Sequence, residues 1–462
     1  MNELAVVKFG GSSAADPERI ANIVTADPRL NRVIMLSAIG RDINDPTSQK
    51  ETDRLIAYEA AARSGNQSAM REIEESFIER YRGAYHMLGT EALSDLVDRT
   101  ANMFRDARPE DGYRWIGEAA SGAFFSRLIG AQYIGSRLVF DDRNGEIDFK
   151  SSLYGMQYAI RQAFGSTGDQ VVMDPYYGHD YSSGFKRTTG RGGSDIGGVL
   201  GAASLRESNP FETWVHINYS DQDGLLRTDP RIVTDPESIP HVTFEEGREL
   251  SHGIFERNGA FHGNAFAIAE RYNVPVYIRN TFRPSEPGTR VTQNRVSNPN
   301  RPVVGISGRA GLNAIDIHDT NMDDTLGYIA RVSKVASDHG LSIGEMPASR
   351  DRMRIVLNGG ESETSQAVSD LAGALERLLG QTASIGVTAG ETHVHVVGQD
   401  LIQGRPNSVR ANVMARMFSA LQAAKLEPGE ISSLGSSPSV RVTFAGDQLD
   451  PAIQSLYNEF IG

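Results

Sequence analysis

Residues 4–13 read Leu-Ala-Val-Val-Lys-Phe-Gly-Gly-Ser-Ser, and this stretch decides the fold. Its apolar first half is typical of a strand, and Asp16 and Glu18 shortly after the glycines are typical of the first turn of a helix. Paired glycines at such a junction let backbone N–H groups approach a phosphate, and the helix N-terminus adds a favourable partial charge. Because Lys8 precedes the glycines, the motif differs from the Gly-x-x-x-x-Gly-Lys-Ser loop. The stretch predicts either a phosphate site with Lys8 at the phosphoryl group or a tight strand-to-helix turn.

Outward from this strand, short apolar runs alternate with helical stretches through the first three hundred residues. This alternation is the pattern of a mainly parallel sheet covered by helices. The further strand candidates are residues 33–37, 137–140, 170–174, 213–219 and 275–278. A polar stretch with helical spacing predicts a helical insertion at about residues 52–115.

A cluster of proline, glycine and asparagine between residues 283 and 302 predicts a domain boundary. We therefore expect a first domain over residues 1–290, a linker over 291–302 and a further region over 303–462. In that last region a strand, helix, strand order occurs twice. The repetition predicts two consecutive small α+β modules.

The composition limits the function classes. The chain has 462 residues, with 46 Lys and Arg against 59 Asp and Glu, and a net charge of −13. Such a charge argues against a broad nucleic-acid or membrane-surface role. The absence of cysteine excludes disulfides, thiolate metal sites and a thiol nucleophile. With no run of about 18 apolar residues and no signal-peptide pattern, we expect a soluble cytoplasmic protein.

Three further segments carry chemistry. Residues 189–195 read Thr-Gly-Arg-Gly-Gly-Ser-Asp ahead of a helix, which predicts either an arginine clamp for a carboxylate or a helix capped by Ser194 or Asp195. Residues 219–224 read Tyr-Ser-Asp-Gln-Asp-Gly at a strand end, where open α/β sheets bind ligands and where turns also occur. Residues 279–282 read Arg-Asn-Thr-Phe and by composition indicate only a loop.

Together and in this order, the four segments resemble the aspartate kinases of the amino acid kinase family. The resemblance covers nearly the whole chain, because paired ACT domains follow the linker in that family. It implies an α/β domain with a mainly parallel sheet between helices, followed by two ferredoxin-like ACT domains. It also implies ATP-dependent phosphorylation of the side-chain carboxylate of L-aspartate, with Mg²⁺ held mainly by the ATP phosphates and no metal ligand assigned to the protein. The implied assembly is a homodimer formed through the ACT domains.

The resemblance assigns roles to single residues. Lys8 stabilises the charge on the moving phosphoryl group, and Asp195 orients that lysine. The family's nucleotide-binding positions correspond to Gly10, Gly11, Ser12, Ser220, Asp221 and Arg231. The positions for the amino-acid substrate correspond to Ser37, Thr52, Glu118, Arg191 and Ser194. In this assignment Arg191 pairs with the α-carboxylate and Glu118 with the ammonium group.

The chain departs from the family pattern at several points. Gly259 stands where the family carries a phosphate-binding lysine, and Arg257 or Lys186 are the candidate replacements. Residues 173–178 read Met-Asp-Pro-Tyr-Tyr-Gly in place of Gly-Phe-x-Gly, which predicts a tyrosine-rich loop up to Tyr181.

The ACT segments at residues 348–352 and 434–438 lack the glutamate typical of members that bind lysine or threonine. These departures leave three hypotheses. They are an aspartate kinase, a specialised kinase for a related amino acid, and an amino-acid-binding relic without catalysis.

Overall fold

The computed structural model describes residues 4–26, 31–41, 47–167, 170–190, 192–206, 214–251, 260–358, 363–405, 408–432 and 435–462. The chain forms two compact units. The first comprises Met1–Arg227, Glu237–Ser251 and Phe255–Val296, and the second comprises Thr228–Pro236, His252–Ile254 and Ser297–Gly462. The domain limits inferred from the sequence, 1–290 and 303–462, stay a prediction.

Within its described residues, the first unit contains one sheet of nine strands. Their order is β3-β4-β2-β1-β6-β8-β9-β7, and β5 pairs with β4. The strands are β1 (Leu4–Phe9), β2 (Asn31–Leu36), β3 (Gln132–Phe140), β4 (Gln170–Asp180), β5 (Lys186–Thr188), β6 (Trp214–Ser220), β7 (His241–Thr243), β8 (Val276–Asn280) and β9 (Thr289–Thr292). The pairs β4–β5 and β8–β9 are antiparallel, and the other pairs are parallel.

Strand β1 lies at the centre of this sheet. All six of its residues are buried, and β1 pairs in parallel with β2 on one side and β6 on the other. Phe9 is in register with both Leu36 and Tyr219. The segments that follow the three strands therefore leave the sheet at one carboxyl edge, where ligands bind in open α/β sheets.

Helices cover the sheet. In the described part of the first unit they are α1 (Gly11–Ala14), α2 (Pro17–Ala26), α3 (Glu51–Arg63), α4 (Gln67–Ala84), α5 (Thr90–Asp106), α6 (Trp115–Ile129), α7 (Phe149–Thr167), α8 (Gly193–Arg206), α9 (Phe244–Leu250) and α10 (Gly263–Arg271). A short 3₁₀ helix spans Pro109–Asp111. Helices α3 to α5 lie in the stretch where the sequence predicts a helical insertion.

Helix α6 is deeply buried over most of its length. Every residue from Trp115 to Ser126 is buried, so the helix is covered on all sides. Gly130, in the left-handed conformation with φ of 68°, ends it. A carboxylate on this helix is therefore shielded from water. This burial costs free energy unless a ligand or a neighbouring group compensates.

The second unit contains an antiparallel sheet of six described strands in the order β11-β12-β10-β13-β15-β14. The strands are β10 (Gly305–Asp319), β11 (Ile343–Glu345), β12 (Arg352–Leu357), β13 (Ala383–Val397), β14 (Ile431–Ser432) and β15 (Ser439–Phe444). The described helices are α11 (Tyr328–Asp338), α12 (Ser365–Leu379), α13 (Arg410–Ala423) and α14 (Leu449–Phe460). This alternation of helices and antiparallel strands is that of an α+β fold.

Two modules share the long strands β10 and β13. The later half of β10 pairs with the earlier half of β13 and with β12, and the earlier half of β10 pairs with the later half of β13. The register shifts between Arg309 and Ala314, next to Gly311 with φ of 79°, so a bulge separates the halves. An inner module is therefore inserted into an outer one. The sequence correctly indicates two modules, but its expectation that they are consecutive is wrong.

Each module has its own apolar core. The core of the inner module contains Ile315, Ile317, Val332, Ile355 and Leu371 among its buried residues. The core of the outer module joins residues from both ends of the region, including Ile306, Val394, Met417, Val442 and Ile453. No helix among the described residues is long and apolar enough to cross a membrane.

Candidate active site

The glycine turn after β1 meets the loop after β2. Gly10 donates its backbone N–H to the carbonyl of Tyr219 over 3.0 Å, and Gly40 donates to the carbonyl of Gly11 over 2.8 Å. A Cβ on Gly40 would lie under 3.0 Å from the backbone of Gly11. Glycine is needed at residue 40 because the two backbones touch there, and this contact fixes the shape of the turn.

Lys8 places its ammonium group beside this turn. The side chain is 8% exposed, and Nζ donates to Oδ1 of Asp195 over 2.7 Å. Oδ2 of Asp195 accepts the backbone N–H of His262 over 2.9 Å. Because both carboxylate oxygens are occupied, Asp195 is held in place and in turn orients Lys8. The pair joins the first strand to the start of helix α8.

The nucleotide-side residues predicted on β6 lie opposite the glycine turn. Ser12 donates its hydroxyl to Oδ2 of Asp221 over 3.1 Å. The carbonyl of Ser220 accepts the N–H of Thr281 over 2.8 Å, and Asn280 donates to Oδ1 of Asp223 over 2.8 Å. Asp221 is thus tied to the glycine turn, and the segment after β8 supports the turn that carries it.

Glu118 and Ser194 form a second polar pair. Ser194 donates its hydroxyl to Oε1 of Glu118 over 2.6 Å, and Glu118 is 2% exposed. Burial raises the pKa of Glu118 well above its usual range, and the negative charge of Asp174 raises it further. The Ser194 hydrogen bond and the charge of Lys8 act in the opposite direction. This carboxylate lacks a strong cationic partner among the described residues, as expected of a group that awaits a ligand's positive charge.

Ser37 and Thr52 stand at the loop between β2 and α3. Ser37 donates its N–H to the carbonyl of Phe9 over 3.0 Å, and Glu51 donates its N–H to the carbonyl of Ile39 over 2.9 Å. The first turn of α3, which includes Thr52, is thereby anchored to the loop that touches the glycine turn. The structure so brings both predicted residues to the carboxyl edge of the sheet.

A buried ion pair supports the same loop. Glu51 Oε1 lies 2.9 Å from Nη1 of Arg80, which also donates from Nη2 to the carbonyl of Gly40. Burial raises the pKa of Glu51 to about 6, although Arg54 and Arg80 oppose this shift. Neither Glu51 nor Arg80 is predicted from the sequence, because nothing in the local pattern links residues so far apart in the chain.

Other positions named in the sequence analysis lie outside the described residues or belong to the second unit. Arg191 and Gly259 lie outside the described residues, as does Arg257. Arg231 belongs to the second compact unit, where its guanidinium pairs with Asp229 at 2.6 Å. The nucleotide role of Arg231 therefore stays a prediction.

Lys186 is engaged elsewhere. Its ammonium lies 3.8 Å from the centre of the Trp115 ring and 3.9 Å from the Asp111 carboxylate. It does not contact Lys8 or Asp195 in the structure, so the idea that it replaces a missing phosphate-binding lysine gains no support.

The tyrosine-rich segment is a strand and not the predicted loop. Strand β4 runs through it from Gln170 to Asp180 because it pairs with β2, β3 and β5. Within it, Asp174 accepts hydrogen bonds from the hydroxyls of Tyr133 and Tyr177. The unusual composition of this segment is the only feature of the sequence that points to the buried Asp174. No sequence pattern indicates Tyr133 as the partner of Asp174.

Among the described residues, no group of three or more histidine, aspartate or glutamate side chains could hold a metal ion. Magnesium on nucleotide phosphates commonly takes only one or two protein carboxylates. Asp221, at the carboxyl edge of β6 and hydrogen-bonded to Ser12, fits that requirement.

The comparisons with known proteins agree with this geometry. A model described as the amino acid kinase family matches residues 3–280. The chain belongs to the amino acid kinase family. Its similarity to curated relatives extends over nearly the full chain. The Bacillus subtilis protein named Aspartokinase 3 is 28% identical over 476 residues, which cover 99% of this chain and 98% of the relative.

Two further matches extend the family assignment. The lysine-sensitive aspartokinase 3 of Escherichia coli is 25% identical over 482 residues, which cover 99% of each chain. The crystal structure of the aspartate kinase from Clostridium acetobutylicum superposes with a TM-score of 0.76 at 23% identity, covering 99% of this chain and all of that one. At that identity the superposition shows the fold alone. The predicted fold class and the family resemblance are both confirmed.

Proposed function

We propose that this member of the amino acid kinase family transfers the γ-phosphoryl group of ATP to the side-chain carboxylate of L-aspartate, forming 4-phospho-L-aspartate. One observation carries the proposal. The Lys8–Asp195 pair stands at the glycine turn, and the first turn of helix α8 joins it to the Glu118–Ser194 pair. Phosphoryl transfer needs a fixed cation for the phosphates beside a site that holds the acceptor. The relatives named aspartokinase, which match nearly the whole chain, support aspartate as the acceptor.

Lys8 supplies electrostatic catalysis in this proposal. Its ammonium, fixed by Asp195 at 2.7 Å, faces the charge that spreads over the transferring phosphoryl group. Because the lysine is already buried and oriented, no reorganisation is needed as that charge develops. The neighbouring glycine turn offers backbone N–H groups to the phosphates. Magnesium, when bound to the ATP phosphates, neutralises part of their charge.

The remaining nucleotide contacts come from Gly10, Gly11, Ser12, Ser220 and Asp221, with Arg231 as a further proposed contact. Ser12 and Asp221 hold each other, so they can present a hydroxyl and a carboxylate oxygen to the phosphates and their metal ion. The contact of Gly11 with the Gly40 loop keeps the turn narrow.

Glu118 recognises the amino group of the substrate. Its buried carboxylate pairs with the substrate ammonium, and Ser194 orients it through the 2.6 Å hydrogen bond. Arg191 is proposed to bind the α-carboxylate, and Ser37 and Thr52 to line the same site. A zwitterion held at both charged groups leaves its side-chain carboxylate free to attack the γ-phosphorus.

The test is trapping of the acyl phosphate with hydroxylamine in the presence of ATP. Aspartate-dependent hydroxamate supports the proposal, and L-glutamate with N-substituted and β-substituted aspartates form the comparison panel. If hydroxamate forms only with an analogue, that analogue and not aspartate is the substrate. If no panel member gives hydroxamate and the protein does not bind ATP, the remaining hypothesis is an amino-acid-binding relic without catalysis.

One observation favours a second candidate, a specialised kinase for a related amino acid. The family pattern Gly-Phe-x-Gly is replaced by residues 173–178, and Asp174 from this segment is buried beside the helix that carries Glu118. A change so close to the acceptor side can alter which amino acid is accepted. The same substrate panel separates the two candidates.

We also propose a cytoplasmic homodimer formed through the second unit. Leu326 is 98% exposed and Ile329 52% exposed, at the start of helix α11, and both are large apolar side chains. The sheet of this unit ends in the short edge strands β11 and β14, which a second copy could cover. Light scattering of the full chain and of Leu326→Glu tests this assembly. A monomeric mass for the unchanged chain would contradict it.

A further inference from the structure

Asp174 is a buried acid that the proposed reaction does not use. It is 0% exposed, and Oδ2 accepts from Tyr177 over 3.0 Å and from Tyr133. Oδ1 has no hydrogen-bond partner within the part of the chain that the structure describes. A buried carboxyl oxygen without a partner costs free energy, so this group requires a physical reason.

The Asp174 cluster, defined as Asp174, Tyr133 and Tyr177, contacts helix α6 at three points. The Tyr177 ring lies 5.7 Å from the ring of Trp115, and the Tyr133 hydroxyl oxygen lies 3.3 Å from the carbonyl oxygen of Ala119. Oδ1 of Asp174 lies 2.5 Å from the place of a Cβ on Gly122. Gly122 thus makes room for the carboxyl group, and any larger residue there would displace it.

Two of these contacts adjoin Glu118. Positions 115 and 122 are three and four residues from position 118, so they are its neighbours on the helix surface, and position 119 follows it in the chain. Glu118 therefore lies beside the face that the Asp174 cluster contacts. Movement of the cluster would turn or shift the carboxylate that faces the ligand.

We propose that Asp174 is a positioning residue that, through Tyr133 and Tyr177, fixes Glu118 and controls the charge that Glu118 carries when the amino-acid substrate binds. This inference rests on the proposed function only in the identity of the ligand. The contacts between the cluster and helix α6 hold for any ligand of Glu118.

The two acids titrate as a coupled pair. Burial raises the pKa of Asp174 to about 7, although the two tyrosine hydroxyls and Arg137 oppose this shift. The charge of Asp174 in turn raises the pKa of Glu118, so ionisation of one acid disfavours ionisation of the other. The charged and titratable groups that face the pair are Tyr133, Tyr177, Arg137, Tyr176 and Lys8.

Burial also raises the pKa values of Tyr133 and Tyr177, so both stay neutral hydrogen-bond donors near neutral pH. A ligand ammonium binds Glu118 only when that carboxylate is ionised. Binding of the ligand should therefore strengthen as the pH rises and the pair loses its protons.

The kinetic test compares the full chain with Asp174→Asn between about pH 5 and pH 9. Asparagine keeps an acceptor for the tyrosine hydroxyls and removes the charge. We expect the fall in KM for the amino acid to move to lower pH, because Glu118 then ionises without a neighbouring charge. The KM for ATP should keep its pH profile. The matched control is Asp141→Asn, which removes an acid paired with the nearby, exposed Arg143.

An unchanged pH profile in Asp174→Asn, even with a lower melting temperature or lower kcat, would reduce Asp174 to a purely structural residue and overturn the inference. A profile that moves equally in Asp141→Asn would also overturn it, because the effect would then be one of net charge.

A second readout does not depend on catalysis. The chain has two tryptophans, Trp115 and Trp214, and Trp115 packs on Tyr177. In a Trp214→Phe background, the emission of Trp115 should change with a midpoint near pH 7, where the pKa of Asp174 lies at about 7. Adding Asp174→Asn should remove this step. If no amino acid is phosphorylated but the step is present and is lost with Asp174→Asn, the proposed function fails while the cluster stands. If the step survives that substitution, the inference fails whatever the enzyme's activity.

Discussion

The site has two sides that are built differently. On the phosphate side, one acid and one base neutralise each other, since Lys8 and Asp195 form a direct pair 2.7 Å long. On the amino-acid side, Glu118 and Asp174 are two buried acids coupled to each other, and serine and tyrosine hydroxyls donate to them. Lys8 and Asp195 thus balance each other within the protein, whereas Glu118 and Asp174 form no ion pair among the described residues. We infer that the first side is built to stay fixed and the second to gain its balance from the ligand.

The largest effect is expected on the phosphate side. Lys8→Ala should lower kcat by about 10² to 10³-fold, or about 3 to 4 kcal/mol, because the transferring phosphoryl group loses its fixed cation. Steady-state kinetics with ATP and aspartate measures this. Lys334→Ala, which removes an exposed lysine paired with Asp338, is the matched control. If kcat is unchanged in Lys8→Ala, Lys8 has no catalytic role.

Because Lys8→Ala leaves Asp195 buried without its partner, stability must be measured beside the kinetics. The double substitution Lys8→Ala with Asp195→Asn removes the unpaired charge. If this variant recovers the melting temperature but not kcat, the kinetic loss belongs to the Lys8–Asp195 pair and not to misfolding.

The next effect concerns the amino-acid side and stability. The folded pKa of Asp174 is about 7, above the ordinary carboxyl value of 3.8, so the folded chain holds this proton to higher pH than the unfolded chain. The resulting stability is present at acid pH and is lost as the pH rises from about 4 to about 7. Asp174→Asn does not lose this stability. Between about pH 4 and pH 8 its free energy of unfolding should therefore rise by roughly 2 to 4 kcal/mol relative to that of the unchanged chain.

Urea unfolding followed by Trp115 emission in the Trp214→Phe background measures this difference in the first unit. If the two proteins differ in free energy of unfolding by the same amount at about pH 4 and about pH 8, Asp174 does not change its charge in that range.

Glu118→Gln should have a smaller effect that is confined to one substrate. Glutamine can still accept the Ser194 hydrogen bond but carries no charge for the ammonium group. The KM for the amino acid should rise about 10 to 30-fold, or about 1.5 to 2 kcal/mol, with the KM for ATP nearly unchanged. Glu79→Gln, on an exposed pair with Arg82, is the control. Equal changes in both KM values would erase the distinction between the two sides.

The smallest effect is expected at Ser12. Ser12→Ala removes the hydroxyl that donates to Asp221 over 3.1 Å at a solvent-exposed position. We expect the KM for ATP to rise about two- to fivefold, or about 0.5 to 1 kcal/mol, since water competes with a solvent-exposed hydrogen bond. Nucleotide binding measured by calorimetry checks it. A rise in the KM of the amino acid instead would place Ser12 on the other side.

The same contrast explains how much of the site the sequence predicted. Lys8, the glycine turn and the Ser194–Asp195 pair lie in short contiguous motifs, so their residue types and spacing are enough to indicate a phosphate site. Lys8 meets Asp195 because helix α8, which begins at Gly193, packs on β1. The Asp174 cluster depends on Tyr133, which β3 brings beside β4 from 41 residues away in the chain. Nothing in a single sequence determines that pairing.

The fold shows a similar division. The parallel sheet was predicted because its strands are apolar runs separated by helices, a pattern that each segment carries by itself. The nesting of the modules was missed because residues 303–306 and 314–317 look like separate strands. The structure joins most of them in one strand, β10, with a bulge at Gly311. A bulge changes which face the side chains take, and this hides the continuity of the strand from an alternation pattern.

The insertion of one module into the other has a consequence during protein synthesis. The inner module can fold once the first half of β13 has emerged from the ribosome. The first half of β10, made earlier, pairs with the later half of β13 and must wait for residues 393–397. Until then its unpaired edge is open to other chains. The nascent second unit is therefore expected to need chaperone protection for longest at the strand that is made first.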